Sequence, residues 1–275
     1  MRNKYPTWIV FTVTTIKGGK IIMAKTLVVK LAGTVDNPDL RKLGEIRIQI
    51  TPYVFDSYEL NPKHQLLALD VSEPIQLELT GDGHFTDDTL TQNLGTTITL
   101  QAGYNNVYVS DSTSTLHIYN KYAITQFLLS MWDNKYTHHH WLSNLADFEG
   151  MYALTNFDVH YCNVTADSSL VSFRDLTNLT SLKMISFASK VKGDLSDIAG
   201  LTKLTNLNLF SQNAVTGNIS SIAGLTLVTY ADLRNCSKLT GNTSSIAHLH
   251  PNNGGKLATL VYSGTQVTGD WPPSA

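Results

Sequence analysis

Apolar positions in the second half of the chain recur as a ladder whose rungs lie two or three residues apart. The rungs are Leu179, Leu182 and Met184, then Leu204, Leu207 and Leu209, then Val228, Ala231 and Leu233, then Leu257, Leu260 and Tyr262. A more degenerate copy reads Leu154, Phe157, Val159. Between the ladders stands a Gly followed by Asp or Asn, at Gly193-Asp194, Gly217-Asn218, Gly241-Asn242 and Gly269-Asp270, with steps of 24, 24 and 28 residues. A fixed period of this size predicts a solenoid. One such unit cannot bury its own apolar face, whereas stacked units share a continuous core.

The first half follows a different rhythm. Apolar and polar residues alternate in Ile46-Arg47-Ile48-Gln49-Ile50 and Leu77-Glu78-Leu79, the period of half-buried strands. Strands are predicted at 26–32, 45–51, 65–71, 75–79, 97–101, 106–110 and 115–119, separated by turn signals such as Asp36-Asn37-Pro38, Asn61-Pro62 and Gly81-Asp82-Gly83. Short strands at this density point to an antiparallel sandwich, immunoglobulin-like in outline but without a Cys-Trp-Cys core. Over residues 121–150 the spacing of Ile124, Phe127, Leu128, Met131 and Trp132 predicts a short helix that caps the first solenoid unit. The expected organisation is an N-terminal arm over 1–22, a β-sandwich over 23–120, a helical cap or linker over 121–150 and a repeat domain over 151–275. The fold class is therefore mainly β.

The repeats carry a family resemblance. The ladder L-x-x-L-x-L, followed by V/L-T-G-x-I-x-x-I-x-G-L, resembles a leucine-rich repeat of the subtype with an L-T-G-x-I-P step. Matching residues are Val215-Thr216-Gly217-Asn218-Ile219 through Leu225, Leu239-Thr240-Gly241-Asn242, and Thr268-Gly269-Asp270-Trp271-Pro272, where the proline returns. The likeness covers about five copies in roughly the last 125 residues. Ser220 and Ser244 replace the proline in the middle copies, and Cys162, Phe187, Gln212, Cys236 and Thr265 break the family's asparagine ladder. An irregular, slightly loosened solenoid is expected. The resemblance implies parallel strands on a concave face, with the residues between the leucines turned outward to meet ligands. Those residues include Asp158, His160, Lys183, Asn208, Phe210, Asp232 and Arg234.

Charge narrows the partners. A formal net charge of −2 with 15% charged residues, and no basic run, argues against a nucleic-acid surface. No stretch approaches the length of a membrane-spanning helix, so membrane insertion is not expected. The two cysteines, Cys162 and Cys236, fall at one repeat position three repeats apart, too far to bridge, and are read as free buried thiols. The opening residues make a poor signal peptide. Lys17-Gly18-Gly19-Lys20 can encode a purine-rich ribosome-binding sequence just upstream of the Met23 codon, so translation from Met23 and an ordered β-arm over residues 1–22 both stand as readings.

Chemistry is sparse. His138-His139-His140 is read as a solvated loop rather than a metal site, since adjacent side chains diverge. Asp82, His84, Asp87 and Asp88 lack the order of a calcium loop and read as a polar hairpin tip. No nucleophile elbow, zinc-protease motif or phosphate loop is found, and neither a catalytic residue, a metal nor a cofactor is expected. The sequence points to a non-enzymatic structural and recognition protein: a bacteriophage virion component (capsid decoration, fibre or tail accessory) that displays a leucine-rich-repeat module. The alternatives are a secreted or bacterial cell-surface adhesin and, further off, an enzyme acting on polysaccharide. Expected partners are protein subunits, in a homo-oligomer or virion assembly, and a cell-surface glycan or protein ligand. The last repeat, around Trp271 and Pro272, has no capping helix after it, so a bare apolar end that meets a partner is expected there.

Overall fold

The computed structural model describes residues 8–17, 20–30, 44–50, 65–88, 92–109, 114–130, 141–142, 144–160, 162–164, 168–185 and 191–273. The protein is mainly β, with 42% of residues in strands against 16% in helix. It divides into two compact units, Met1–Leu40 and Arg41–Ala275.

In the first unit the strand Trp8–Lys17 pairs antiparallel with Lys20–Lys30. Both runs are rich in the β-branched and aromatic residues that favour strands. Met23 lies inside the second strand, opposite Thr15. A chain starting at Met23 would lack the first strand altogether.

The second unit contains, among the described residues, a six-stranded and a ten-stranded sheet, and a further two-stranded pairing. The six-stranded sheet runs in the order Asn163–Val164, Trp141–Leu142, Glu45–Ile50, Ser114–Tyr119, Ile75–Gly81, Thr97–Leu100. Its inward positions, such as Ile46, Ile48, Leu77 and Leu116, are completely buried. They join one hydrophobic core with Leu69, Phe127 and Phe157 of the ten-stranded sheet.

That larger sheet pivots on one strand. Ile124–Ser130 pairs antiparallel with Gln65–Val71 on one side and parallel with Asn156–His160 on the other. The parallel ladder then continues through Ser181–Ile185, Asn206–Asn208, Tyr230–Asp232 and Thr259–Val261. The expected helix at 121–150 is thus corrected over its described core. Ile124 and Phe127 are buried as anticipated, but so is Leu129, while Gln126 and Leu128 face the other way. A register shift between Ile124 and Gln126 displaces the alternation, so a strand imitates a helical spacing. Met131 and Trp132 lie outside the described residues. Residues 41–275 form one compact unit. Phe127, Phe148, Phe157 and Phe173 stitch the pivot to the first two coils, with Phe157 edge-on to Phe148 and Phe173 at centroid distances of 4.9 and 4.8 Å.

Each coil beyond the pivot is assembled by the motif read in the sequence. The inward residues of the x-T-G step, Val215 and Leu239, are completely buried, and Val267 nearly so. The Thr hydroxyls donate to the carbonyl of the Gly one coil earlier: Thr216 to Gly193 at 3.2 Å, Thr240 to Gly217 and Thr268 to Gly241 at 3.3 Å. The following Asp or Asn caps a 3-10 turn. The Asp194, Asn218 and Asn242 side chains accept from the backbone N–H of Ser196, Ser220 and Ser244, each at 2.9 Å. Asn144 and Ser169 do the same for two earlier turns that carry no Gly-Asx signature. Each 3-10 turn buries its first and fourth residues, as with Leu195 and Ile198 or Ile219 and Ile222. The longer last step is absorbed by the extra turn Pro251–Asn253.

Other donors stand at the broken asparagine position, Gln212 and Cys236 reaching a carbonyl one coil earlier and Thr265 one of its own coil. Gln212 Nε2 donates to Met184 O at 3.0 Å, Cys236 Sγ to Leu209 O at 2.9 Å, and Thr265 Oγ1 to Tyr262 O at 2.6 Å. Cys162 and Cys236 are free and buried, and burial pushes both thiols up to about 12. A second ladder, of threonines, runs beside the first. The hydroxyls of Thr155, Thr180, Thr205 and Thr229 each donate to the carbonyl of the preceding threonine, from Thr125 onward, at 2.9–3.0 Å.

The turns after the last three strands of the ladder use a left-handed residue, Ser211 (φ 64°), Asn235 (φ 60°) and Gly264 (φ 75°). Serine is the least suited of the three to that conformation. Ser211→Asn should therefore raise stability by roughly 0.5–1 kcal/mol, seen as a higher urea midpoint at unchanged slope.

Candidate binding face

Residues paired across neighbouring strands project to the same side of a sheet. The register of the parallel ladder therefore lays its outward residues in rows that cross the strands. Asp158, Lys183, Asn208 and Asp232 stand directly opposite one another in one row. His160 pairs with Ile185 in the next, and Phe210 and Arg234 follow in the same sequence position of later coils. All seven predicted face residues are brought together on one surface.

Their charges are already matched. Asp158 contacts His160 Nε2 at 2.5 Å and accepts from Lys183 Nζ at 2.9 Å. Asp232, only 1% exposed, accepts from Arg234 Nε at 2.9 Å and Nη2 at 2.6 Å and from the Tyr230 hydroxyl at 3.3 Å. The Arg234 guanidinium also lies over the Phe210 ring, 5.0 Å from its centroid. Asn208 is turned onto its own strand end, accepting from Phe210 N at 3.0 Å. The result is a surface on which Arg234 is exposed, His160, Lys183, Asn208 and Phe210 are half-buried, and the Asp232 carboxylate lies beneath.

Burial raises the Asp158 carboxyl, but hydrogen bonds from His160 and Lys183 outweigh it and hold the group below its usual range. A carboxylate depressed in the folded state contributes stability that is fully present above the ordinary range and is lost as pH falls through the depressed value. Asp158→Asn should therefore flatten the acid limb of the stability curve below about pH 4, measured by urea midpoints across pH.

The face does not stop at the repeats. Gln126 pairs with Asn156 on one side and Asp70 on the other, and Asp70 pairs with Tyr104. Gln126 Nε2 donates to Asp70 Oδ2 at 3.2 Å. The row of Tyr104, Asp70, Gln126, Asn156, Ser181, Asn206 and Tyr230 thus crosses from the antiparallel half into the coils without a break. Its first strand, Gly103–Val109, begins three residues before the strand expected at 106–110, so Tyr104 falls outside that expectation.

Asp87 accepts from Gln92 N at 3.3 Å, and Asp82, His84, Asp87 and Asp88 form no group suited to a metal. Among the described residues no such cluster of three or more His, Cys, Asp or Glu side chains occurs. His138, His139 and His140 lie outside the described residues. Trp271 is half-buried and packs against the core, its ring edge-on to His250 at 5.1 Å. Thr243 donates to Asp270 O at 2.9 Å and Tyr262 to Gly269 O at 2.6 Å, so the segment before Pro272 folds back over the last coil. The expected bare apolar end is corrected to that extent: the exposed large hydrophobics among the described residues all lie elsewhere, at Leu94, Tyr104, Tyr122, Tyr152, Val171 and Leu227. No helix among the described residues is long and apolar enough to cross a membrane. A scan of protein-family models finds none that matches the chain, and a search of curated proteins finds no match.

Proposed function

We propose that the chain is a non-enzymatic structural and recognition protein, in which a β-sandwich carries a leucine-rich-repeat-like solenoid of about five turns. Its setting in this reading is a bacteriophage virion, as a capsid decoration, fibre or tail accessory protein. The observation that carries the recognition role is the outward face on which Asp158, Lys183, Asp232 and Arg234 are paired in advance. A ligand meeting that face orders few side chains, so little binding energy is lost to immobilisation. The pivot strand joins this face to the antiparallel half through backbone hydrogen bonds, which suits a part that must be anchored at one end and presented at the other. Thr259–Val261 is the outermost strand of the ladder. Beside Trp271 and Pro272 it offers an edge to which a neighbouring protein subunit can add.

Mass spectrometry of purified particles and of envelope fractions from the source culture tests the setting. Peptides from residues 191–273 are expected in the particles at a fixed ratio to the major coat protein. Recovery in the envelope fraction alone would move the protein to the adhesin class.

A further inference from the structure

We infer that the ligand of this face is an uncharged linear polysaccharide lying across the strands, contacted by the antiparallel half as well as by the coils. This inference rests on the recognition reading given above and specifies its ligand. The row it uses begins at Tyr104, 59% exposed, and ends at Tyr230. Between them stand Asp70 and four neutral hydrogen-bonding side chains, Gln126, Asn156, Ser181 and Asn206. Seven strands at about 4.8 Å spacing give a track about 29 Å long. That is a surface for an extended polymer rather than a pocket for a small molecule.

Chemistry decides the class. The amide oxygens of Asn156 and Asn206 are buried without a hydrogen-bond partner, each bearing the cost of an unmade bond. Both side chains are half-buried, so a turn of either amide toward the face would let a ligand donor remove that cost, and sugar hydroxyls are such donors. Tyrosine rings at both ends offer apolar faces with a polar tip. Most ionic groups nearby are paired, Asp158 with Lys183 and Asp232 with Arg234, while the Asp70 carboxylate accepts from the neutral Gln126 amide. A polyanion would meet three carboxylates here and a polycation would meet Lys183 and Arg234, so neither is favoured. An extended peptide read through its main chain would need a strand edge rather than a sheet face.

Isothermal titration of the full chain against soluble neutral glucans, mannans and galactans, with alginate and an unstructured peptide pool as comparators, tests this. Binding to one neutral glycan is expected, little changed by salt and tightening with oligosaccharide length. Tyr104→Ala and Asn206→Ala should each weaken it about tenfold, with circular dichroism confirming the fold. Tyr104→Phe should retain it. If Asn206→Ala weakens binding and Tyr104→Ala does not, the extension onto the antiparallel half is overturned while the recognition face stands. Binding only to alginate or peptide overturns the ligand class. No binding to any probe overturns the inference. The recognition reading itself fails separately, if Phe210→Ala with Arg234→Ala leaves adsorption of the protein to host cells unchanged.

Discussion

Gly241→Ala is expected to lower the unfolding free energy by about 3 kcal/mol, whereas Gly254→Ala should cost only about 1 kcal/mol. Both glycines have positive φ, at 105° and 85°. A methyl group at Gly254 meets nothing within 4 Å, but at Gly241 it would lie 2.3 Å from Asn218 Oδ1. That oxygen is the cap of the 3-10 turn one coil earlier. Gly217 over Asp194 and Gly269 over Asn242 repeat the contact at 2.8 and 2.9 Å. Glycine is thus required twice over, for the left-handed turn and for the close stacking of one coil on the next. Urea unfolding of the two variants separates these demands. Equal losses would mean that coil stacking contributes nothing beyond backbone conformation.

The second large effect is expected at Phe157→Ala, with a loss of about 3–5 kcal/mol. Phe157 is completely buried and its ring meets Phe127 of the pivot strand, Phe148 of the preceding 3-10 turn and Phe173 of the next. The cavity would open where antiparallel and parallel pairing meet, and the surrounding rings belong to backbone elements fixed by hydrogen bonds on both sides. A core unified across the pivot should lower the urea midpoint equally for probes in either half. A midpoint that falls for the coils alone would show that the halves unfold separately.

Much of the coil could be read from the chain because its causes are local. Leu182, Leu207 and Leu233 are buried wherever the ladder placed them, and the Gly-Asx step marks a turn whose conformation few other residues adopt. The outward residues follow from the same alternation, which is why Asp158, Lys183 and Asp232 were found. Leu-Thr recurs before the strands at Leu154-Thr155, Leu179-Thr180 and Leu204-Thr205, so the threonine ladder was visible but unread. At the broken asparagine position glutamine, cysteine and threonine each carry a donor, and those of Gln212 and Cys236 reach the preceding coil. Ile124, Phe127 and Leu128 fit a helical period because the register shift after Ile124 puts it on the same side as Phe127 and Leu129, which alternate as in any strand. Tyr104 could not be assigned to the face from sequence, since its neighbour Asp70 is fixed by pairing between distant strands.

Amide hydrogen exchange tests the continuity of the ten-stranded sheet most directly. The amides of Thr155, Thr180, Thr205 and Thr229 donate across successive coils. Ile124–Ser130 is paired on both sides. The pivot strand, Gln65–Val71 and the coil amides are predicted to exchange with one common opening free energy, equal to that of global unfolding. Fast, independent exchange of the coils while Gln65–Val71 stays protected would contradict it.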